Sequence, residues 1–253
     1  MPNKDFLFLH LRDLPYFRAF LRAIESSYYQ NLPLPAPVYD VGAGDGHFAS
    51  LTFDQKIDVG LDPWHGPIHE AKKYGAYKSL VEADGAKSPF PNDYFASGFS
   101  NSVLEHIPHI DDVLKETARV LRKGAPFYFC VPNTRYFSAL SISKVLGKPY
   151  ENWFRRISRV HHADEPDVWQ MRLERAGFEM IRHWHYFSPA AMRVLEWGHY
   201  FGVPSVLARV LTGRWILSRA IWNLWLTKKY VSKYASPEPT QNGTFTFYIA
   251  KKR

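Results

Sequence analysis

The segment Val38-Tyr39-Asp40-Val41-Gly42-Ala43-Gly44-Asp45-Gly46 constrains this chain more than any other. An apolar run carrying one acid reads as a buried strand, and glycines at alternate positions read as the tight turn that ends it. Glycine lacks Cβ, so Gly42, Gly44 and Gly46 can take positive φ and let a ligand approach the backbone. A helix starting near Gly46 would offer free N–H groups and a positive dipole end. A pyrophosphate-binding turn has the spacing Gly-x-Gly-x-x-Gly, whose third glycine would fall on His47. The turn therefore suits a cofactor without phosphate but with a charged amino-acid end. The competing reading is a plain glycine-rich strand-to-helix turn.

Two later segments bear on that choice. Ile57-Asp58-Val59-Gly60-Leu61-Asp62 reads as a second buried strand ending in a carboxylate. Asp62 lies about 20 residues beyond the turn, where an acid meets ribose hydroxyls in doubly wound folds. Pro63 and Trp64 follow as a turn and an aromatic face for a base. Leu80 to Gly85 reads as a third strand ending in Asp84, a carboxylate placed to accept from an exocyclic amine, although Asp84-Gly85 alone also reads as an ordinary turn.

With these segments in order, the chain resembles the class I S-adenosylmethionine-dependent methyltransferases, in the small-molecule group that includes the ubiquinone and menaquinone enzymes. Asp40-Val41-Gly42-Ala43-Gly44-Asp45-Gly46 matches the first motif and Gly60-Leu61-Asp62 the second. Ala83-Asp84-Gly85 with Ser88 to Phe95 matches the third, and Phe99 to Ile107 matches the fourth-strand motif. Glu116 to Gly124 matches the helix and turn before strand five. The likeness covers residues 36–187 and the last strand. It implies that Asp40, Gly42 and Gly44 hold the methionine end of S-adenosyl-L-methionine and that Asp62, with Pro63 beside it, binds the ribose. It further implies that Ala83, Asp84 and Gly85 frame the adenine, that Asn101 sits beside the methionine, and that His106 faces the cleft.

The expected fold is a doubly wound, mostly parallel seven-stranded Rossmann-like α/β sheet in one domain. Strands are predicted at about 38–42, 57–61, 79–83, 95–100, 126–131, 178–187 and 244–250. Helices are predicted from Asp111 to Gly124 and from Pro166 to Ala176, the latter with Asp164 as N-cap and Gly177 as its stop. The ends Asp40, Asp62, Asp84 and Asn101 then share the carboxyl edge of the sheet, where such folds bind ligands. At 253 residues with 46% hydrophobic content, the chain can bury one large core. The single cysteine, Cys130, is expected in the core of strand five, and no cysteines stand at metal-ligand spacing, so no metal is expected. The first residues lack a signal-peptide pattern, which makes a cytoplasmic location, with membrane association in reserve, the expectation.

Three regions outside that core bear on the acceptor. Leu14, Phe17, Phe20, Leu21, Ile24 and Tyr28 share helical spacing, so residues 1–35 are expected as a helical lid or an outer core helix. Pro132 to Glu165 carries Tyr136, Trp153, His161 and His162; either histidine, or His106, is a candidate general base because imidazole titrates near neutrality. His183 and His185 read as structural. Residues 188–242, opening on Ser188-Pro189, form an insert far longer than a hairpin loop. Between Glu196 and Glu238 it has no acid but contains Arg209, Arg214, Arg219, Lys228, Lys229 and Lys233. It is read first as a helical cap over the acceptor pocket and second as a membrane-touching or dimer-forming surface through residues 203–236. Its unopposed cations also leave room for an acidic substrate. The net charge of +8 raises nucleic acid as a partner, but no RNA-binding pattern accompanies it.

The activity expected is O-methylation of a small or lipid-linked organic acceptor. C-methylation of a quinone-type ring, a nucleic-acid methyltransferase and a non-catalytic cofactor-binding protein on the same fold stay open as alternatives.

Overall fold

The computed structural model describes residues 4–216 and 221–253, without the side chains of 221–223. Leu217 and Arg219 of the insert lie outside the described residues. The chain opens with two short-linked helices, α1 (Phe6–Leu11) and α2 (Tyr16–Tyr29), and enters the sheet through β1 (Val38–Val41), α3 (His47–Thr52), β2 (Ile57–Asp62), α4 (His65–Tyr74) and β3 (Tyr77–Glu82). It continues with β4 (Ser97–Asn101), α5 (Ile110–Val120), β5 (Pro126–Pro132), α6 (Arg135–Ser138), α7 (Ser143–Leu146), α8 (Lys148–Ser158) and α9 (Pro166–Ala176). It ends with β6 (Phe178–Tyr186), α10 (Pro189–Phe201), α11 (Val203–Thr212), α12 (Ile221–Ser232) and β7 (Phe245–Lys252).

The seven strands form one sheet in the order β3-β2-β1-β4-β5-β7-β6. The first five pair parallel, while β7 runs antiparallel between β5 and β6. Chain order reverses between β1 and β4, which opens a crevice at their carboxyl ends. Strands β1, β2, β4 and β5 are buried over nearly all their length while edge strand β3 is half uncovered, and β5 reads as a continuous apolar run, Phe127-Tyr128-Phe129-Cys130-Val131, all buried.

Two sequence-level details change. Glu165, not Asp164, precedes α9, whose first turn begins at Pro166; Asp164 instead faces His162 and Arg172 at 3.7 and 3.3 Å. The N-terminal region is two helices rather than one, and Leu14 falls in the link between them. Ser188 caps α10 by accepting the N–H of Ala191. β6 and β7 run to Tyr186 and from Phe245, so the insert forms α10, α11 and α12.

Candidate active site

The turn after β1 is built around positive φ. Gly42 has φ of +86°, and its N–H donates to Leu61 O at 2.8 Å; a Cβ there would stand 2.4 Å from Val103 Cγ1. Gly44 has φ of +54°, and no atom lies within 4 Å of where its Cβ would be. Gly42 is thus closed by the protein and Gly44 is open to a ligand.

Asp62, at the end of β2, braces this turn. Its Oδ2 accepts the N–H of Gly44 and its Oδ1 the N–H of Trp64, both at 3.0 Å. Burial raises its pKa, while the two backbone donors pull it back. Each oxygen keeps a lone pair for a further donor. Pro63 and Trp64 are exposed beside it, Trp64 70% so. At the neighbouring strand end the Ala83 N–H donates to Asp62 O, and exposed Asp84 accepts the N–H of Ala86, with half-buried Gly85 between them.

Asp40 lies one layer deeper. It is buried, accepts the Tyr77 hydroxyl at 2.6 Å, and has its pKa pushed up to about 7 by burial. Asn101 closes the crevice from β4, its Nδ2 donating to Glu25 Oε2 at 2.8 Å. The other Glu25 oxygen accepts from Ser102 Oγ at 2.9 Å and from the Tyr186 hydroxyl at 2.8 Å. Burial raises the pKa of this carboxyl, against the pull of its donors.

Next to Ser102 a cleft of about 570 Å³ opens between α2, the segment after β4, α8 and α10. Arg18 and Arg22 enter it one turn apart on α2. Burial lowers the Arg18 pKa to about 10, and its guanidinium lies 4.8 Å from the Trp215 ring. Arg22 Nη1 has no hydrogen-bond partner and stands 3.7 Å from Asp45. Burial pushes Asp45 upward, but Arg22 and Arg18 outweigh it and hold that carboxyl low.

The candidate bases sit differently. His106 lines the cleft, and burial lowers its pKa. Its Nδ1 lies 3.0 Å from Arg159 O. A carbonyl only accepts, so Nδ1 carries the proton and Nε2 presents a lone pair. His162 has both ring nitrogens engaged, Nε2 at 2.9 Å from Ile107 O and Nδ1 at 3.0 Å from Arg172. His161 is exposed, and its backbone N–H donates to Glu105 O. His185 is tied to Thr246 and Asn133.

Sequence reasoning missed Arg18, Arg22, Glu25, Glu105 and His199, all of which line the cleft. Glu105 is buried, with Oε2 unpartnered and its pKa raised to about 8 by burial. His199 resembles His106, with Nδ1 on Leu195 O. A usable signal was present for three of them: Arg18, Arg22 and Glu25 are charges set among the apolar positions of α2. The unopposed reading of the insert is also corrected. Arg209 pairs with Glu70 and Lys228 with Asp5, acids from outside it.

Comparison with known proteins gives the following. Residues 39–129 match the model of a methyltransferase domain. A sterol methyltransferase-like protein of Botryococcus braunii is 35% identical over 99 residues, covering 36% of this chain and 25% of that protein. A chloroplastic 2-methyl-6-phytyl-1,4-hydroquinone methyltransferase of Oryza sativa is 28% identical over 131 residues, covering 47% and 37%. The matched stretch thus spans little more than a third of these relatives at most. Among solved structures, a SAM-dependent methyltransferase of Thermotoga maritima superposes with a TM-score of 0.57 at 16% identity, over 97% of this chain and 91% of that one.

Proposed function

Because this chain belongs to the class I S-adenosylmethionine-dependent methyltransferases, we propose that it methylates a small or lipid-linked organic acceptor, at oxygen, in the cleft beside Ser102. The observation that carries this is His106, whose Nδ1 is held on Arg159 O while its Nε2, 3.8 Å from Glu105 Oε1, faces a largely apolar cleft beside Ser102.

The residues present fit the cofactor. Gly44 leaves the face of the turn open, Asp62 has lone pairs for two ribose hydroxyls, and Arg22 Nη1, ion-paired with Asp45 at 3.7 Å, has no hydrogen-bond partner and can take a carboxylate. We assign Gly42, Gly44 and Asn101 to the methionine end, with Arg22 as the partner of its carboxylate and Asp40 as a brace behind the turn through Tyr77. Asp62 and Pro63 take the ribose, and Ala83, Asp84 and Gly85 the adenine. S-adenosylmethionine supplies an electrophilic methyl group when bound.

The protein's own part is alignment and proton removal. The aromatic and aliphatic wall of Phe17, Tyr136, Leu195 and Phe245 holds the acceptor and sheds water. His106 Nε2 takes the hydroxyl proton, with Nδ1 fixed on Arg159 O so that the ring does not turn. His161 and His162 are assigned lesser parts, because one is exposed and the other is engaged at both nitrogens. The first insert helix, α10, with Trp215 serves as the cap over the acceptor, and α2 as the lid. A lipid-linked acceptor also calls for contact with a membrane, for which residues 203–236 are the segment.

C-methylation of a quinone-type ring is a second reading, favoured by the sterol and hydroquinone methyltransferases among the relatives. Transfer from methyl-labelled cofactor into a lipid and a water-soluble extract, with mass spectrometry of the product, decides between them. A labelled aryl or alkyl ether supports the first and a labelled ring carbon the second. Absence of any cofactor binding by calorimetry rejects both.

A further inference from the structure

Helix α11 turns its apolar stripe outward, and α12 exposes apolar and aromatic residues beside its lysines. On α11, Val203, Val206, Leu207, Val210 and Leu211 recur at the spacing that makes one stripe, and all five are exposed, Val210 and Leu211 by 76% and 73%. Only Ala208 of this helix is buried. A surface helix ordinarily lays such a stripe on the core. On α12, Leu224 and Val231 are buried, while Trp225, Leu226, Lys229 and Tyr230 are exposed, as is Lys233 just beyond its end.

The segment itself carries charge of one sign, although Glu70 and Asp5 reach in to pair with Arg209 and Lys228. Residues 197–237 contain no Asp or Glu. Among the described residues, Arg214, Lys229 and Lys233 have no carboxylate partner; Lys229 lies 5.0 Å over the Trp225 ring and Lys233 4.9 Å over Tyr234. Aliphatic stripe, exposed Trp and Tyr, and uncompensated Lys together match the layered chemistry of an anionic lipid surface. A second copy of this chain would set these cations against one another. A nucleic acid would leave the Val and Leu stripe without a partner. No described helix is long and apolar enough to cross a membrane, so the contact is peripheral.

The exposed apolar surface also reaches the cleft. Phe201, just before α11, stacks on Trp197 at 6.1 Å; Trp197 meets Tyr200 at 5.8 Å, and Tyr200 lies parallel to Trp153 at 6.4 Å. Trp153 is on α8 with Ile157, which is half exposed and lines the cleft.

We propose that α11 and α12 form a docking face for an anionic bilayer surface and that the cleft takes an acceptor resident in that surface. The second half rests on the methyl-transfer reading; the first does not.

Co-sedimentation of the full chain with vesicles of phosphatidylcholine, with and without phosphatidylglycerol, tests it. The expected result is association with the anionic vesicles that weakens with salt. Val210→Asp with Leu211→Asp should lower partitioning by at least about tenfold. Lys229→Glu with Lys233→Glu should remove the preference for phosphatidylglycerol. All four side chains are exposed, and unchanged thermal melts check that the variants fold. No association with any vesicle overturns the docking face, as does undiminished association of the Val210/Leu211 variant. A dimer seen by sedimentation equilibrium and dissolved by Val210→Asp also overturns it and gives the face to a second copy. Calorimetry with S-adenosylmethionine on the same preparations keeps the two readings apart, since vesicle binding without cofactor binding defeats only the methyl-transfer half.

Discussion

Replacing Asp62 by Asn tests the proposed cofactor site at its most constrained point. The carboxylate accepts one backbone N–H on each oxygen, from Gly44 and from Trp64, both at 3.0 Å. An amide of the same shape has one acceptor and one donor, so one of these N–H groups must face an NH₂. A hydrogen bond to a charged group contributes about 1.5–3 kcal/mol. Burial already penalises the ionised form of Asp62, which places the loss near the lower figure. Without cofactor the variant should therefore melt about 3–6 °C lower, at the roughly 2–4 °C per kcal/mol of a chain this size. The proposed ribose contacts lose a similar amount independently, because Asn keeps an acceptor for only one hydroxyl. At 1.4 kcal/mol per decade, the dissociation constant for S-adenosylmethionine should rise by about tenfold or more. Isothermal titration calorimetry reads the second effect and thermal melts without cofactor read the first. A variant that melts lower yet binds within about twofold of the parent confines Asp62 to bracing the turn and refutes its role at the ribose. A variant with an unchanged melting point refutes the brace itself.

Other outcomes follow from the same geometry. Gly42→Ala forces a Cβ to within 2.4 Å of Val103 at φ of +86°, so it should cost about 1–3 kcal/mol in denaturant unfolding and weaken cofactor binding in parallel. His106→Asn should reduce turnover by about 10²–10⁴-fold with little change in acceptor KM, while His199→Asn leaves most of it; the reverse pattern would move the base to α10. The acid limb of the turnover profile in the parent protein should lie below the ordinary imidazole range, because burial lowers the His106 pKa. The contribution of the Asp40 and Glu105 carboxyls to stability should fall as pH rises from about 4 to about 8. Folding raises the pKa of Asp40 from 3.8 to about 7 and of Glu105 from 4.5 to about 8, so their contribution is complete below the unfolded values and is lost as pH climbs through the folded ones. Above about pH 6.5 this fall stands alone, because His10, His106 and His199, whose pKa values burial lowers, change charge only below the ordinary imidazole value. Melting curves across this fall should flatten in Glu105→Gln, and an unchanged slope would assign the effect elsewhere.

The readable part of this molecule is the part whose determinants are local. The Asp40-to-Gly46 turn, Asp62 and Asn101 are strand ends, and strand, turn and spacing are written in consecutive residues. The class of sheet follows because alternating strands and helices leave a doubly wound sheet as the economical solution; the antiparallel place of β7 between β5 and β6 does not. The acceptor side is written across distance. Glu25 is held by Asn101 and by Tyr186, 76 and 161 positions away, and nothing near Glu25 signals either partner. Arg209 and Lys228 look unopposed within the insert because their acids, Glu70 and Asp5, are 139 and 223 positions away.

The insert shows a deeper limit of periodicity. The apolar spacing of α11 is what a core helix has, and spacing specifies that a stripe exists without specifying which way it faces. Direction is set by what the neighbouring elements leave to be covered. Here α2 already packs against α10 and the residue before its cap, Phe17 on His199 and Phe20 on Phe187, at 4.6 and 4.7 Å. Of the following helix only Ala208 is buried. Its stripe is therefore presented outward, and unpaired lysines stand exposed on and just beyond the helix after it. Facing decides between the two meanings such a segment can have, cap or contact surface, while leaving every secondary-structure assignment in it intact.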